Sequence, residues 1–390
     1  MRFSIVTAFP SFFNDFLSTS MVGRAVKSGL LSINRVDLHA FGKGGYRQID
    51  DYAFGSGGMV LMAQPLEEAM AVAREGRKKS FVVYPSPQGT LLTQEVVESL
   101  FHQEHVTIVC GHYEGLDERF VEREVDLEVR IGDCVLTGGE IPAMAIIDAV
   151  SRLVPGVVGR GEAVVEDSFF RGMLDHPHYT RPACWNDEEV PEALTSGNAA
   201  EIKEWRRKQA VNRTLSRRPD LVSRASLSGY LRGGVYFLLE SRLGAEGLER
   251  RALDWEELCG AYRAERLLLV VQDPAEREKF RQVFENVDCK ASKKYKLFPS
   301  WDRALDWVGE KEKKNGRPLR VAVPDVAESG ARHWLDLKCF ILEQGVPVVF
   351  CFSEGAGFSS CDISMIPLQE GDLPLGGKLA AVCDRFLGSR

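Results

Sequence analysis

Residues 106–119 read VTIVCGHYEGLDER, an apolar run followed directly by a loop rich in glycine and charged residues. Two further runs repeat this order: Phe81–Tyr84 precedes PSPQG at 85–89, and Glu128–Ile131 precedes GDCVLTGGEIP at 132–142. Apolar residues recur at helical spacing over 64–74 and 93–102. Strands that alternate with helices are typical of an α/β fold built on a mostly parallel sheet.

These three loops are candidates for one binding site. Ligands of open α/β sheets bind beyond the carboxyl ends of the strands, where such loops converge. The glycines allow backbone N–H and C=O groups to approach a flat heterocycle closely. None of the loops matches G-x-G-x-x-G or a P-loop, so the pattern favours recognition of a nucleoside by the backbone over NAD or ATP binding. The alternative is that the loops are only tight turns.

The whole chain has the composition of a folded protein with two to three domains. It has 390 residues, of which 44% are hydrophobic and 27% charged. No apolar run approaches the roughly 18 residues that span a bilayer, and the first ten residues predict a strand, not a signal peptide. Nine cysteines, an odd number without a C-x-x-C pair, indicate reduced thiols. We expect a cytoplasmic protein with no membrane association.

The charge distribution points to one localised polyanion contact. The net charge is −7, which argues against a general nucleic-acid coat. Within 203–218, however, seven residues are basic and one is acidic. These seven residues fall on the predicted helical stretch Ala199–Leu231 and are Lys203, Arg206, Arg207, Lys208, Arg213, Arg217 and Arg218. We interpret them as contacts to an RNA backbone, and the alternative is a solvated helix face.

Ordered runs along about residues 1–235 resemble the bacterial tRNA (guanine-N1)-methyltransferase family of the SPOUT class. They include Ser86–Gly89, Gly111–Gly115, Leu136–Glu140, Glu166–Phe169 and Pro177–Pro182, with further short runs such as Gly23–Ala25 and Ser196–Asn198. The resemblance implies a trefoil-knotted domain that binds S-adenosylmethionine, and a homodimer with each site at the interface.

By the same resemblance, the three loops form the cofactor pocket. The implied cofactor-binding residues are Pro87, Gly111, Glu114, Ile131, Gly132, Asp133, Cys134, Val135, Leu136, Gly138 and Gly139. Cys134 departs from the tyrosine often found there. The loop Phe54–Met59 is one residue shorter than the family's glycine-rich run and is expected to cap the pocket differently.

The resemblance also implies two catalytic residues, Asp167 and Arg152. Methylation of guanine N1 requires removal of a proton from a weakly acidic ring nitrogen, which a positioned carboxylate can accept. A guanidinium can stabilise the charge that develops on O6. The alternatives are an N-cap role for Asp167 and a surface or dimer ion pair for Arg152.

The implied substrate is the anticodon stem-loop of tRNA, methylated at the guanosine immediately 3′ of the anticodon. Arg181 is a candidate phosphate contact. The family implies a requirement for Mg²⁺, but no magnesium ligand can be identified in the sequence. His176 and His178 flank Pro177, yet we find no third ligand at useful spacing and predict a hydrogen-bonding role for His178. Two other functions stay open: a SPOUT ribose 2′-O-methyltransferase and a non-catalytic tRNA-binding protein.

The C-terminal part extends past the resemblance to that family. It opens with a buried-strand pattern at 267–271, continues with strands at 319–323 and 346–352, and ends in a helix at 377–387. This order is similar to a small family of predicted SPOUT RNA methyltransferase domains, but Gly371–Leu375 replaces that family's polar knot loop. A degenerate SPOUT-like domain for dimerisation or RNA contact is the preferred interpretation. A second active enzyme and an unrelated α/β domain are the alternatives.

These patterns predict four regions. They are an α/β SPOUT catalytic domain at 1–158, a flexible linker at 159–170, a helical tRNA-binding domain at 171–250 and a second α/β, SPOUT-like domain at 263–390.

Overall fold

The computed structural model divides the chain into two compact units, Met1–Glu166 and Asp167–Arg390. It describes residues 1–158, 167–240, 245–286, 295–353, 358–367 and 374–388, except 56, 75, 77, 78, 170, 171, 327 and 359. For residues 245–250, 252, 253 and 283–286 it describes the backbone only. Most of the predicted linker at 159–170 therefore lies outside the described residues, as do Ser56, Glu166 and the replaced knot-loop residues 371–373.

The first unit is built on a five-stranded parallel sheet with the order β2-β1-β6-β5-β7. The strands are β1 Arg2–Thr7, β2 Ser32–Asp37, β5 Phe81–Leu91, β6 His105–Val109 and β7 Leu127–Arg130, with a hairpin of β3 Asp50–Tyr52 and β4 Met59–Leu61. The α-helices are α1 Asn14–Ser18, α2 Ser20–Lys27, α3 Ala63–Ala73, α4 Gln94–Phe101, α5 Glu118–Glu124 and α6 Glu140–Leu153.

Helices cover both faces of this sheet because its strands are apolar on both sides. Phe3 and Ile5 of β1 belong to one core with Ile146 and Ile147 of α6. Val6, their neighbour in the strand, belongs to the core on the other side, where α3 and α5 pack. Side chains alternate between the faces of a strand, so a strand buried on both faces reads as the continuous apolar run seen in the sequence.

The second unit is built on a six-stranded parallel sheet with the order β12-β11-β10-β14-β13-β15. The strands are β10 Val235–Glu240, β11 Arg266–Val270, β12 Tyr295–Phe298, β13 Leu319–Ala322, β14 Val348–Ser353 and β15 Ile363–Ser364, with a hairpin of β8 Cys184–Trp185 and β9 Glu188–Glu189. The helices are α7 Glu192–Thr195, α8 Ala199–Arg217, α9 Ala245–Ala261, α10 Pro274–Asn286, α11 Trp301–Lys311, α12 Trp334–Gln344 and α13 Leu375–Val382, which continues as a π-helix over Cys383–Leu387. Short 3₁₀ helices lie at Pro10–Phe13, Leu38–Phe41 and Pro219–Ser223.

The second sheet begins earlier in the chain than the sequence pattern predicts. Strand β10 lies within the range 171–250 predicted as a helical domain, yet it is a central strand between β11 and β14. Val211 of α8 belongs to the same apolar core as Phe237 and Phe350 of the sheet. The long helix and the C-terminal sheet therefore form one unit, and residues 171–250 do not fold as a separate helical domain. A short apolar run such as Val235–Leu239 does not by itself distinguish a strand from a buried helix.

The two units share one strand order. In chain order, β1, β2, β5, β6 and β7 occupy the same places in the first sheet as β10, β11, β13, β14 and β15 in the second. Strand β12 is an addition at the edge of the second sheet. A helix follows the last strand in both units, α6 after β7 and α13 after β15. The C-terminal unit is thus a topological repeat of the first.

Candidate active site

A cavity of about 290 Å³ lies at the carboxyl ends of β6 and β7 and beside residues 84–88 of β5. The predicted loop at 85–89 is instead part of the longer strand β5, whose pairing with β7 shifts in register between Pro85 and Thr90. The loops come together because parallel neighbouring strands end at the same edge of the sheet. Of the eleven predicted cofactor-binding residues, these ten line the cavity: Pro87, Gly111, Glu114, Ile131, Gly132, Cys134, Val135, Leu136, Gly138 and Gly139. Asp133 does not line it; its exposed carboxylate lies 2.9 Å from Nε of Arg130.

Glycine is needed in this wall because neighbouring groups occupy the space of a side chain. A Cβ on Gly139 would lie 2.8 Å from Cα of Cys110, and one on Gly138 would overlap the His112 ring. A Cβ on Gly111 would lie 2.8 Å from the Tyr84 ring. The amide of Gly139 donates to the carbonyl of Gly111 at 2.9 Å, so the second and third loops are joined directly.

A buried carboxylate beneath these loops was not singled out by the sequence patterns. Glu140, the first residue of α6, is 3% exposed. It accepts a hydrogen bond from Thr7 Oγ1 at 2.7 Å, and its Oε2 lies 2.8 Å from Nε2 of His112. The His112 ring also packs edge-on against Phe9, with 4.9 Å between centroids. Glu140 therefore joins the ends of β1 and β6 to the start of α6.

Two titratable groups in and near the cavity have pKa values raised by burial, Tyr84 in its lining and Cys110 just before Gly111. Burial raises the pKa of the Cys110 thiol well above its usual value, and the nearby charge of Glu140 raises it further, so Cys110 is not a thiolate nucleophile. Glu114 packs against the loop 54–59, because a Cβ on Gly58 would meet its Cγ.

The two predicted catalytic residues lie in different units. Arg152 is exposed in the last turn of α6, and Asp167 is the first residue of the second unit, where it is partly buried.

Helix α8 presents most of the predicted RNA-binding residues to solvent. The side chain of Asn198 caps the helix by accepting from the amide of Ala200 at 3.1 Å. The residues Lys203, Arg206, Lys208, Arg217 and Arg218 are exposed and Arg213 is partly buried, while Arg181 is exposed outside the helix. Arg218 forms an ion pair with Asp220 at 2.7 Å.

Arg207 differs from the rest of this set. Its side chain is 8% exposed. The guanidinium donates to both carboxylate oxygens of Glu204, at 2.8 and 2.9 Å, and to the carbonyl of Tyr230 at 2.7 Å. It also holds the pKa of Glu204 below its usual value. The prediction that Arg207 contacts RNA is therefore replaced by a structural role.

Asp175 supplies the third potential metal ligand that the sequence analysis did not find. Asp175, His176 and His178 each offer one ligand atom, and these atoms all lie within 4.8 Å of one another. Asp175 Oδ2 lies 2.8 Å from Nε2 of His178, which fits the predicted hydrogen-bonding role of that histidine.

Among the residues the structure describes, no helix is both long and apolar enough to cross a membrane.

In comparison with known proteins, residues 1–224 match the family model described as tRNA (Guanine-1)-methyltransferase TrmD. A tRNA (guanine-N(1)-)-methyltransferase from Ruminiclostridium cellulolyticum is 47% identical over 226 residues, which is 57% of this chain and 97% of that protein. Proteins of the same name from Moorella thermoacetica and Magnetococcus marinus are 48% and 50% identical, each over 58% of this chain and 92% of their own length.

Proposed function

Because this chain belongs to the TrmD family of tRNA (guanine-1)-methyltransferases, we propose that it transfers the methyl group of S-adenosylmethionine to N1 of the guanosine immediately 3′ of the tRNA anticodon. The chain is a tRNA (guanine-N1)-methyltransferase, as are the relatives it matches over nearly their whole length. The proposed cofactor and target base are supported by one observation: residues of the three family-matched segments line the same cavity.

The cavity fits a nucleoside held by backbone groups. Gly111, Gly138 and Gly139 line the cavity with backbone only, since protein atoms already occupy the place of a Cβ, and Ile131, Val135 and Leu136 also line it. Backbone groups at such a wall can hydrogen-bond an adenine edge without a phosphate cradle. When bound there, S-adenosylmethionine supplies a methyl group on an electron-poor sulfonium. We assign the ten lining residues of the predicted set to this pocket and leave Asp133 at its rim.

Asp167 is the proposed general base and Arg152 the proposed electrostatic stabiliser. The Asp167 carboxylate accepts the proton of guanine N1 while the freed N1 electron pair forms the bond to the methyl carbon. The carbon–sulfur bond breaks, and its electron pair stays on sulfur. The Arg152 guanidinium stabilises the negative charge that grows on O6 in the transition state. Since each residue belongs to a different unit of the chain, a site shared between the protomers of a homodimer is part of the proposal.

The exposed cations of α8 are the proposed contact to the tRNA backbone. Lys203, Arg206 and Lys208 lie on the first half of the helix, and Arg217 and Arg218 at its end. Arg213 and Arg181 complete the set. A positive surface on a protein of net charge −7 directs the polyanion to one place. We also propose a cytoplasmic location for the reaction.

Magnesium, which the family resemblance implies, does not fit the one three-residue ligand cluster found among the described residues. Mg²⁺ prefers six oxygen ligands, whereas that cluster contains two imidazoles and one carboxylate. We derive no step through Mg²⁺.

The second unit is the proposed SPOUT-like accessory domain. Its strand order, equal to that of the first unit, supports the resemblance. In this unit Lys378, buried in the first turns of α13, forms an ion pair with Asp325, which lies just beyond the end of β13. The pair occupies the edge of the sheet that corresponds to the cavity of the first unit. That placement favours an accessory role over a second methyl transfer.

The test of the proposed function is the chemical identity of the product. Full-length protein, tRNA and S-adenosylmethionine are incubated, and the tRNA is digested to nucleosides for mass analysis. We expect N1-methylguanosine, absent when the target guanosine is replaced by adenosine. A ribose-methylated nucleoside would contradict the proposal.

The variant Asp167→Asn tests the proposed base in the same assay. It keeps the shape of the side chain and removes the proton acceptor, so we expect at least a hundredfold slower single turnover with cofactor and tRNA affinity retained, in line with the roughly 10²–10⁴-fold contribution of a general base. A single-turnover rate near that of the parent would exclude Asp167 as the base.

A further inference from the structure

Three potential metal ligands lie within four residues of the second unit, outside the cavity described above. They are Asp175, His176 and His178, with Pro177 between the histidines. Asp175 Oδ1 lies 3.0 Å from Nδ1 of His176, and Oδ2 lies 2.8 Å from Nε2 of His178. The two imidazole rings meet edge-on, 4.5 Å between centroids.

His176 is the unusual member of this cluster. The residue is 9% exposed. Its Nδ1 is buried and forms no hydrogen bond within the described part of the chain, since the approach to Asp175 Oδ1 lacks hydrogen-bond geometry. A buried polar atom without a partner costs about 1–3 kcal/mol. A metal ion bound to this nitrogen would remove that cost.

The spacing of the three ligand atoms suits a small divalent ion. Zinc bonds to histidine nitrogen and carboxylate oxygen are about 2.0–2.2 Å long, which places the ligand atoms of a tetrahedral site roughly 3.3 Å apart. The two distances from Asp175 oxygens to the imidazole nitrogens, 3.0 and 2.8 Å, are slightly shorter. With one ligand atom from each residue, all three atoms lie within 4.8 Å of one another, a range that one ion can bridge.

The chemical types of the three ligand atoms indicate which metal ion would bind. Imidazole nitrogen suits zinc, copper, nickel and iron, whereas magnesium and calcium select oxygen. Two histidines with one carboxylate leave at least one coordination position open.

We propose that Asp175, His176 and His178 bind one divalent transition-metal ion, with Zn²⁺ as the first candidate. The ion replaces the proton that otherwise joins Asp175 to His178 and gives the buried Nδ1 of His176 a partner.

The site is connected to the segment of Asp167. The amide of Asp175 donates to Oγ of Ser168 at 2.9 Å. On the other side, the amide of Leu174 donates to Oγ1 of Thr214 in α8 at 2.9 Å, and the His176 ring lies 6.4 Å from that of Trp205 in the same helix. A bound ion would therefore brace the chain between Ser168 and helix α8. The ion would thereby help to position Asp167, which precedes Ser168. The metal-binding proposal does not depend on whether Asp167 is the base.

The direct test is metal binding by the untagged full-length chain after treatment with a chelator. Calorimetric titration with Zn²⁺ is expected to give one ion per chain with a micromolar or lower Kd. Titration with Co²⁺ is expected to give the visible absorption of a four- or five-coordinate site, without the near-ultraviolet thiolate band. An excess of Mg²⁺ should not compete.

Variants separate this site from adventitious binding. His178→Gln and Asp175→Asn each remove one ligand and should weaken Zn²⁺ binding at least tenfold, as should His176→Gln. His178 is exposed, so its variant should keep the thermal unfolding of the parent. The control His102→Gln, at an exposed histidine of the first unit, and Cys134→Ser with Cys184→Ser, at the exposed cysteines, should leave the Kd unchanged.

Two results would overturn the proposal. One is the lack of saturable Zn²⁺ binding, which would leave Asp175 and the histidines as a hydrogen-bonded cluster only. The other is an unchanged Kd in the His178→Gln and Asp175→Asn variants, which would place the ion elsewhere.

Discussion

Glu140 is a buried carboxylate that the sequence patterns left out and that contacts His112 of the cavity lining. Its partners Thr7 and His112 are 133 and 28 residues away in the chain, so no local spacing could have connected them. Its place in the first turn of α6 is favourable for a carboxylate, because the N-terminal end of a helix is electropositive. The loops after β6 and β7 were predictable, since each follows an apolar strand, whereas the predicted loop at 85–89 lies inside β5.

Glu140→Ala should destabilise the first unit and weaken cofactor binding. The substitution leaves the Thr7 hydroxyl and His112 Nε2 without their acceptor in a buried place, at a cost of about 1–3 kcal/mol for each unsatisfied group. We expect a lower urea midpoint and a cofactor Kd at least tenfold higher, measured by fluorescence and calorimetry.

The control for this prediction is Glu118→Ala. Glu118 is likewise an acidic residue in the first turn of a helix, α5, but it is exposed. It should change neither quantity appreciably. Glu140 would have no joining role if the two alanine variants behaved alike.

At the scale of elements, apolar runs were the reliable predictor. The runs at 3–8, 106–110, 267–271 and 346–352 coincide with β1, β6, β11 and β14 within a few residues. Strand β2, Ser32–Asp37, lies at the edge of its sheet and is mostly exposed, so it has no apolar run to detect. The sequence also does not show which side chains of α8 are exposed. Arg207 has the same residue type as its basic neighbours, but tertiary contacts bury it.

The exposed face of α8 should control tRNA affinity. Replacing Lys203, Arg206 and Lys208 together with glutamine should weaken binding broadly. It should also make the log-log salt slope shallower by up to about 3, given roughly 0.9 for each duplex phosphate contact. Affinity measured at several salt concentrations checks this, and cofactor affinity should not change, because the cavity belongs to the other unit.

A charge-matched variant completes that experiment. Lys279, Arg303 and Lys313 are exposed cations elsewhere in the second unit, and their replacement by glutamine makes the same change in net charge. Parental affinity and slope are expected for this variant. Equal slopes for the α8 variant and the parent would leave the helix as a solvated face.

At the scale of the whole molecule, the main feature is that the two proposed catalytic residues belong to different units. Arg152 belongs to Met1–Glu166 and Asp167 to Asp167–Arg390. A pair placed in this way can be completed within one chain or between the two chains of a homodimer.

Complementation between inactive chains distinguishes these arrangements. In a mixture of Arg152→Ala and Asp167→Ala chains, half of the exchanged dimers are heterodimers, and each has one site with both wild-type residues if the pair comes from different chains. Activity should then recover to about a quarter of the parent level after subunit exchange. Mixing without exchange is the control. A mixture that stays inactive despite verified heterodimers would mean that both residues of a site come from one chain.

Strand β10 pairs with β14, which is synthesised much later, and this order affects folding on the ribosome. The first sheet is complete once β7 has emerged, whereas Glu240 of β10 must wait for Ser353 of β14, 113 residues later. At about 5–20 residues per second, this delay is on the order of ten seconds, during which the apolar strand β10 lacks one of its two neighbours in the sheet. The nascent chain thus carries a folded first unit followed by an incomplete, aggregation-prone second unit. We expect chaperones to be needed most during that interval of translation.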